Sequence, residues 1–286
     1  MIVKLEYATN IGSRKNNDDS LFIRYGNKTT VVSDGSEGRA GIIYANTDSD
    51  GIIAAVFDGM GGKKLGQYSS QLCCKRISEI ENPSAEDVIN IDKEFKGTGI
   101  SDYGTTISLV NIKIDPDNSI VHLKTISAGD SPIISVQDGT MRILSPLDNQ
   151  AYEDLVIDQR ESEYRGGLQG ANKLMNFIGR SQPLVAHEGE YSLPANSKLL
   201  VCTDGVLQNS NESISSIMMF SERPAEELVK SAIKAKKRSD NVTAIVISLL
   251  QDEFHDFIFR VDDDATESEE IVKKSFIKRL RRKKHE

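Results

Sequence analysis

The sequence predicts an α+β layered domain, and three observations carry that expectation. Apolar runs rich in Val, Ile and Leu outnumber helical patterns. Several runs are joined by turn chemistry, "DPDN" at 115–118 and "QDG" at 137–139, which reads as an antiparallel meander. Helical periodicity appears between the runs in mixed order, as expected of helices layered on antiparallel sheet.

In chain order, the runs "KLEYA" (4–8), "SLFIR" (20–24) and "IIAAVF" (52–57) are strand-like in length and composition. Two helical patterns follow, at 66–80 and 84–95. Strands are then expected at 105–114, 119–127 and 131–137, and later at 197–203. The clearest helix is 224–237, where Pro224 can open the first turn and Ala225, Leu228, Val229, Ala232 and Ile233 share one face. A last strand, "VTAIVISLL", covers 242–250. The stretch 146–190 is polar, contains "RGG" and has weak periodicity, so it is expected as a surface insertion. No internal repeat is present.

The chain has 286 residues, 38% hydrophobic and 27% charged, which suits a soluble globular protein of one or two domains. No apolar run approaches the roughly 18–20 residues of a membrane span. "MIVKLEYATN" has no apolar h-region, so no secretory signal is expected. Cys73, Cys74 and Cys202 lack metal-ligand spacing, and their odd number argues against a disulfide framework. Core packing in a reducing cytosol is the expected state of all three. A formal charge of −8 disfavours non-specific nucleic-acid binding by the main body.

Composition changes after Leu250. Residues 252–270 carry nine acidic residues against one arginine, and 273–284 carry eight basic residues and no acidic one. Such blocks read as solvated appendages, so the folded domain is expected to span 1–250, with 251–286 as a tail. Within the tail Val272, Phe276 and Leu280 recur every four residues among Lys and Arg. As a helix, 271–284 would be basic and amphipathic, suited to an anionic membrane surface or an acidic partner; a merely solubilising tail is the equal alternative.

The stretch "VFDGMGGKKLGQYSS" (56–70) ends an apolar run in Asp58 and then spends three of the next four positions on glycine. Taken alone, a glycine-rich turn with a solvated carboxylate explains it equally well. The arrangement recurs, however. "VCTDG" ends a run at Asp204, "SDNVT" opens the last run at Asp240, "NNDDS" sets Asp18 and Asp19 before another, and "SAGDS" places Asp130 at a turn. Carboxylates converging at one rim of a sheet sandwich repel one another and need compensation, which a hard divalent cation with oxygen ligands supplies. His122, His187, His255 and His285 are scattered away from these motifs, which argues against a zinc site.

The ordered set "SRKNNDDS", "VFDGMGG", "YGTTIS", "SAGDS", "VCTDG" and "SDNVT" resembles the type 2C metal-dependent Ser/Thr protein phosphatases, particularly the bacterial ones, over about residues 4–250. Each motif is weak alone; six in order are a strong signal. The resemblance implies a four-layer αββα sandwich, two antiparallel sheets flanked by helices, with a two-metal site for Mn²⁺ or Mg²⁺ at one end. It implies that Asp58 bridges both metals, that the Gly59 carbonyl binds the second, and that Asp204 and Asp240 complete the shell of the first. Asp19, with Asp18 beside it, would support the second metal directly or through water. Arg14 would hold the substrate phosphate, and Asp130 a weaker third metal.

By that resemblance a water bridging two cations would attack phosphorus in line, and a serine or threonine alkoxide would leave. Gly59 would offer its carbonyl without a Cβ in the way, and Gly61 and Gly62 would turn the chain into the helix that follows. The implied substrates are phosphoserine and phosphothreonine proteins of a cognate Ser/Thr kinase pathway, met by a cytoplasmic monomer, with a position peripheral to the membrane through its basic tail as the alternative. Three positions depart from the family pattern. Met60 stands where many relatives have histidine, Pro132 where arginine is usual, and Gln208 in a slot often acidic, which leaves a third metal resting on Asp130. A catalytically silent module of the same fold and a hydrolase of small phosphate esters are the alternatives. Metal-dependent turnover of p-nitrophenyl phosphate excludes the first, and preference for phosphopeptides excludes the second.

Overall fold

The computed structural model describes residues 2–46, 51–61, 65–97, 103–115, 117, 119–165, 167–235 and 239–250. Gly62 and the tail 251–286, with the expectations attached to them, lie outside these residues. The first strands are β1 (Ile2–Asn10), β2 (Asp19–Tyr25), β3 (Lys28–Val32), β4 (Gly38–Asn46) and β5 (Ile52–Met60). Two helices follow, α1 (Leu65–Ser78) and α2 (Ala85–Gly97), then β6 (Gly104–Thr105), β7 (Ile107–Asp115), β8 (Ile120–Ala128), β9 (Ile133–Gln137) and β10 (Thr140–Ile143). The last elements are α3 (Gln150–Ile157), β11 (His187–Pro194), β12 (Lys198–Cys202), α4 (Asn211–Phe220), α5 (Pro224–Ala235) and β13 (Val242–Leu250).

The strands make two antiparallel sheets, one ordered β10-β9-β12-β13-β1-β4 and the other β11-β8-β7-β5-β2-β3, with β6 pairing the end of β5. Successive side chains of a strand point to opposite faces, and here both faces are covered. Leu21 and Ile23 of β2 pack between the sheets with Leu5, Val56 and Ile245. Phe22, between them in sequence, points outward to Phe57 and to Cys73, Cys74 and Phe95 of α1 and α2. On the other sheet Ala8, Leu200 and Val246 face outward to Leu228 and Val229 of α5. Three core layers therefore separate four layers of secondary structure in the order αββα. Burial on both faces is why the central strands read as near-continuous apolar runs. The face expected of α5 is the buried one, with Ala225, Leu228, Val229 and Ala232 inside and Ile233 partly so.

All three cysteines are free and buried, and burial pushes their thiols up, Cys74 to about 12. Among the described residues no helix is long and apolar enough to cross a membrane.

The stretch 146–190 departs from a surface insertion. It contains α3, and its Leu147, Ala151, Tyr164 and Ala171 are buried in the outer core of the first sheet. Its Ile178 and Leu184 are buried in the outer core of the second. Isolated apolar anchors hold it down, so it buries side chains without showing a period. Strands β3, β4, β10 and β11 and helix α4 also lacked a recognised run. In β11 half-buried and exposed residues alternate along "HEGEYSLP", the pattern of a sheet edge.

Candidate metal centre

Antiparallel pairing brings the aspartates to one end of the sandwich. Asp19 opens β2 and Asp58 lies near the end of β5, and the two are cross-strand partners. Asp130 follows β8, Asp204 opens a short 3₁₀ helix directly after β12, and Asp240 stands two residues before β13. The electrostatics register this convergence. Burial raises the Asp58 carboxyl well above the usual range, and the charges of Asp19, Asp204, Asp130 and Asp240 raise it further. Asp130 is raised chiefly by burial and then by Asp204. Asp19, only 4% exposed, is pushed up to about 7 by burial, against the donation of Thr243 and Thr203. Burial also raises Asp18, opposed by a backbone N–H from Gln67 and by Arg14. Among the described residues no three Asp, Glu, His or Cys side chains close on one point as they stand.

Two features fit a cation here. Oδ1 of Asp18 and Oδ1 of Asp19 are buried without a hydrogen-bond partner, an arrangement that is costly unless a positive charge satisfies it. Gly59 sits in a cradle that a Cβ would fill, 2.1 Å from the Gly66 carbonyl oxygen and 2.6 Å from that of Asp18. The start of α1 therefore lies directly on the end of β5, and Gly61, at φ 136°, turns the chain between them. The donors are all oxygens, the set that suits Mg²⁺ or Mn²⁺.

The aspartates are held by residues that sequence reasoning passed over. Oδ2 of Asp19 accepts from the hydroxyls of Thr243 at 2.6 Å and Thr203 at 2.9 Å. Because Thr243 spends its proton on Asp19, Thr9 donates to Thr243 at 2.8 Å, and Asn17 donates to Thr9 at 3.0 Å. A relay of donors thus ties β2 of one sheet to β1, β12 and β13 of the other. The Asp58 N–H donates to the Thr106 hydroxyl at 3.0 Å, and the Asp58 carbonyl accepts from the Thr106 N–H at 2.9 Å and the Thr105 hydroxyl at 3.0 Å. Asn241 accepts from the Asp18 N–H and donates to the carbonyls of Ile11 and Asn16, each at 2.9 Å, which fixes the loop that carries Arg14. Thr203, Thr243, Thr105 and Thr106 lie inside the quoted motifs "VCTDG", "SDNVT" and "YGTTIS", a signal of their place but not of their role, and Thr9 lies in none of them.

Asp148 and His187 had no such signal. Oδ2 of Asp148 accepts from the Gly129 N–H at 2.8 Å and from Asn176 at 2.7 Å, while Oδ1 lies 2.8 Å from His187 Nε2. This pair fixes the turn before Asp130, so His187 is not remote from the site as its sequence position suggested.

Arg14 is at the rim, as a residue meant to meet a substrate would be. Its Nη2 pairs with Oδ2 of Asp240 at 2.5 Å, and its side chain is 59% exposed. That bond raises its pKa, and the nearby charges of Asp58 and Asp204 add to the effect. Gln208 ends the 3₁₀ helix after Asp204 with a buried, unpartnered Oε1.

No protein-family model matches the chain, and no curated protein does. Solved structures do. The chain is similar to a serine/threonine phosphatase of S. agalactiae at 21% identity, covering 87% of this chain and 100% of that one, with a TM-score of 0.67. The fold is that of the bacterial serine/threonine phosphatases. Stp1 from Staphylococcus aureus is similar at 15% identity over 86% of this chain and 95% of its own, with a TM-score of 0.66. The catalytic domain of the phosphatase PstP, solved in complex with two manganese ions, is similar at 20% identity over 87% and 100%, with a TM-score of 0.62.

Proposed function

We propose that this chain is a protein phosphatase, dependent on Mn²⁺ or Mg²⁺, that hydrolyses phosphoserine and phosphothreonine. The observation that carries the reading is the convergence of Asp19, Asp58, Asp130, Asp204 and Asp240, from five separate strand ends, on one rim of this fold. Asp58 would be shared between two cations, with Asp204 and Asp240 completing one site and Asp18, Asp19 and the Gly59 carbonyl the other. Asp130 would support a weaker third. Bound divalent cations would supply Lewis acidity and an activated water. Arg14 would exchange Asp240 for the phosphoryl oxygens of the substrate, since its exposed side chain can swing over the rim without leaving its anchored loop. In this reading the protein works in the cytosol as a monomer opposite a Ser/Thr kinase, and the basic stretch 271–284 directs it to an anionic surface or an acidic partner.

Turnover of phosphoserine and phosphothreonine peptides is expected with Mn²⁺ or Mg²⁺, to vanish with EDTA, and to exceed turnover of p-nitrophenyl phosphate. Full activity in chelator, or with zinc alone, contradicts the metal assignment, and preference for the small ester contradicts the substrate class. Arg14→Ala is expected to raise KM on the order of tenfold with a smaller loss in kcat, because it would bind phosphate already in the ground state.

Thr243→Val keeps the shape of the side chain and removes the donor to Asp19. Its expected effect is a loss of about 10- to 100-fold in Mn²⁺ affinity, read by titration calorimetry, while Thr243→Ser stays near the wild type. Equal affinity in Thr243→Val and the wild type would mean that the relay only packs the sheets.

A further inference from the structure

Apart from the aspartates, none of which lines it, a groove of about 910 Å³ opens between β10 and α4. Met141, Ile143, Tyr152, Met219 and Phe220 line it, with Arg142 and Glu212 among its polar residues. Phe220 is 84% exposed, more than any other large apolar residue among those described. β10 is also an edge strand of its sheet. An exposed edge beside exposed apolar side chains is a surface that folded proteins usually cover.

The chain itself leaves β13 near the mouth of this groove. β13 runs from Asp240 at the metal end to Leu250 at the far end, where Leu250 is the cross-strand partner of Ile2. Ser248 is the cross-strand partner of Lys4, and Lys4 Nζ donates to the carbonyl of Glu222, two residues beyond Phe220. On the other side of β13, Lys198 of β12 donates to the carbonyl of Met218 at 2.6 Å. The C-terminal end of α4 is thus tied to the strands that flank the last residues of β13. Four extended residues reach about 14 Å.

The sequence then turns aromatic: "QDEFHDFIFRV" (251–261) holds three of the nine phenylalanines of the chain, with Ile258 between two of them. Six extended residues, 254–259, span about 20 Å, against about 15 Å for the ten residues of α4. The charged residues of the groove are Arg142, Glu161 and Glu212, and a segment entering beside Phe220 and running toward Glu212 brings Arg260 last, to the Glu212 end.

We propose that residues 254–260 of this chain occupy the groove between β10 and α4, with their phenylalanines against Met141, Met219 and Phe220. The chain contains no tryptophan, so Phe257→Trp in the full-length protein is a single reporter. Docking is expected to give blue-shifted emission and several-fold weaker iodide quenching than in the same protein unfolded in urea. Adding Phe220→Ser should return both to solvent-like values, with the circular dichroism unchanged because Phe220 is a surface residue. Solvent-like emission from Phe257→Trp alone overturns the proposal, as does a blue shift that Phe220→Ser leaves intact. A blue shift that fades on dilution assigns the groove to a second copy and overturns it too.

Discussion

Asp58→Asn is expected to lower metal-dependent turnover by about a thousandfold or more and to leave the metal-free protein folded and more stable than the wild type. The two effects have one cause. Asp58 is surrounded by four other carboxylates, and its burial and their charge hold its pKa well above 3.8. Such a group is stabilising only while protonated. In the unfolded chain Asp58 and Asp19 lose their protons near 3.8, whereas the native protein keeps them to higher pH, Asp19 to about 7. Between those values the native state binds more protons than the unfolded one, so stability falls as pH rises. The metal-free wild type should melt lower at pH 8 than at pH 5. Asparagine removes the titrating group at position 58, so the variant should lose less over the same range. Thermal melts in EDTA at both pH values, with phosphopeptide turnover in Mn²⁺, check this. A variant that turns over near the wild-type rate, or that melts lower than the wild type in EDTA at pH 8, contradicts the assignment of Asp58.

How far the fold could be read depended on which faces of each strand are covered. β5, β7 and β13 lie inside their sheets, under helices on one side and the opposite sheet on the other, so "IIAAVF", "ISLV" and "VTAIVI" carry no alternation to misread. β3 and β11 are edges, where exposed and covered positions alternate and glycine, lysine and glutamate dilute the run. α4 lacked a recognised signal although Ile214, Ile217 and Met218 are buried, because serines occupy the positions between them. The segment 146–190 is held by single side chains such as Tyr164 and Ile178, and single anchors have no period.

The site divides along similar lines. A carboxylate at the end of an apolar run is visible in one dimension, so all six aspartates could be named from the sequence. Their supports could not, because a threonine at a strand end reads as ordinary strand composition until the register sets Thr9 opposite Thr243 and brings the pair to Asp19. Asp148 and His187 are farther still from any local pattern, since 39 residues separate them and only the fold joins them. For Arg14, the motif located the residue, and the structure shows its anchored loop and a carboxylate, Asp240, within reach of its guanidinium.

The backbone cradle at Gly59 leads to the other large effect. Gly59→Ala is expected to destabilise the protein by about 3 kcal/mol and to lower turnover about 100-fold. Gly59 has an ordinary φ, so left-handed strain is not the cause; the space is. The added methyl would stand 2.1 Å from the Gly66 carbonyl oxygen and 2.6 Å from that of Asp18. Both obstacles are backbone, so no rotamer change relieves the contact. Either α1 lifts from β5, uncovering Cys73 and Ile77 over Phe57, or the start of β2 shifts and carries Asp18 and Asp19 with it. The second movement separates Asp58 from Asp18 and Asp19, and in the proposed function a displacement of about 1 Å at such a site costs on the order of 100-fold. Gly97→Ala is the control. It ends α2 with no atom within 4 Å of the added methyl and no positive φ, so it should be neutral or stabilise by up to about 1 kcal/mol. Urea unfolding of both variants, with kcat/KM on a phosphopeptide, separates the cases. A Gly59→Ala protein within about 0.5 kcal/mol of the wild type would show that the start of α1 yields freely, and the close approach of Gly66 would then have no part in shaping the site.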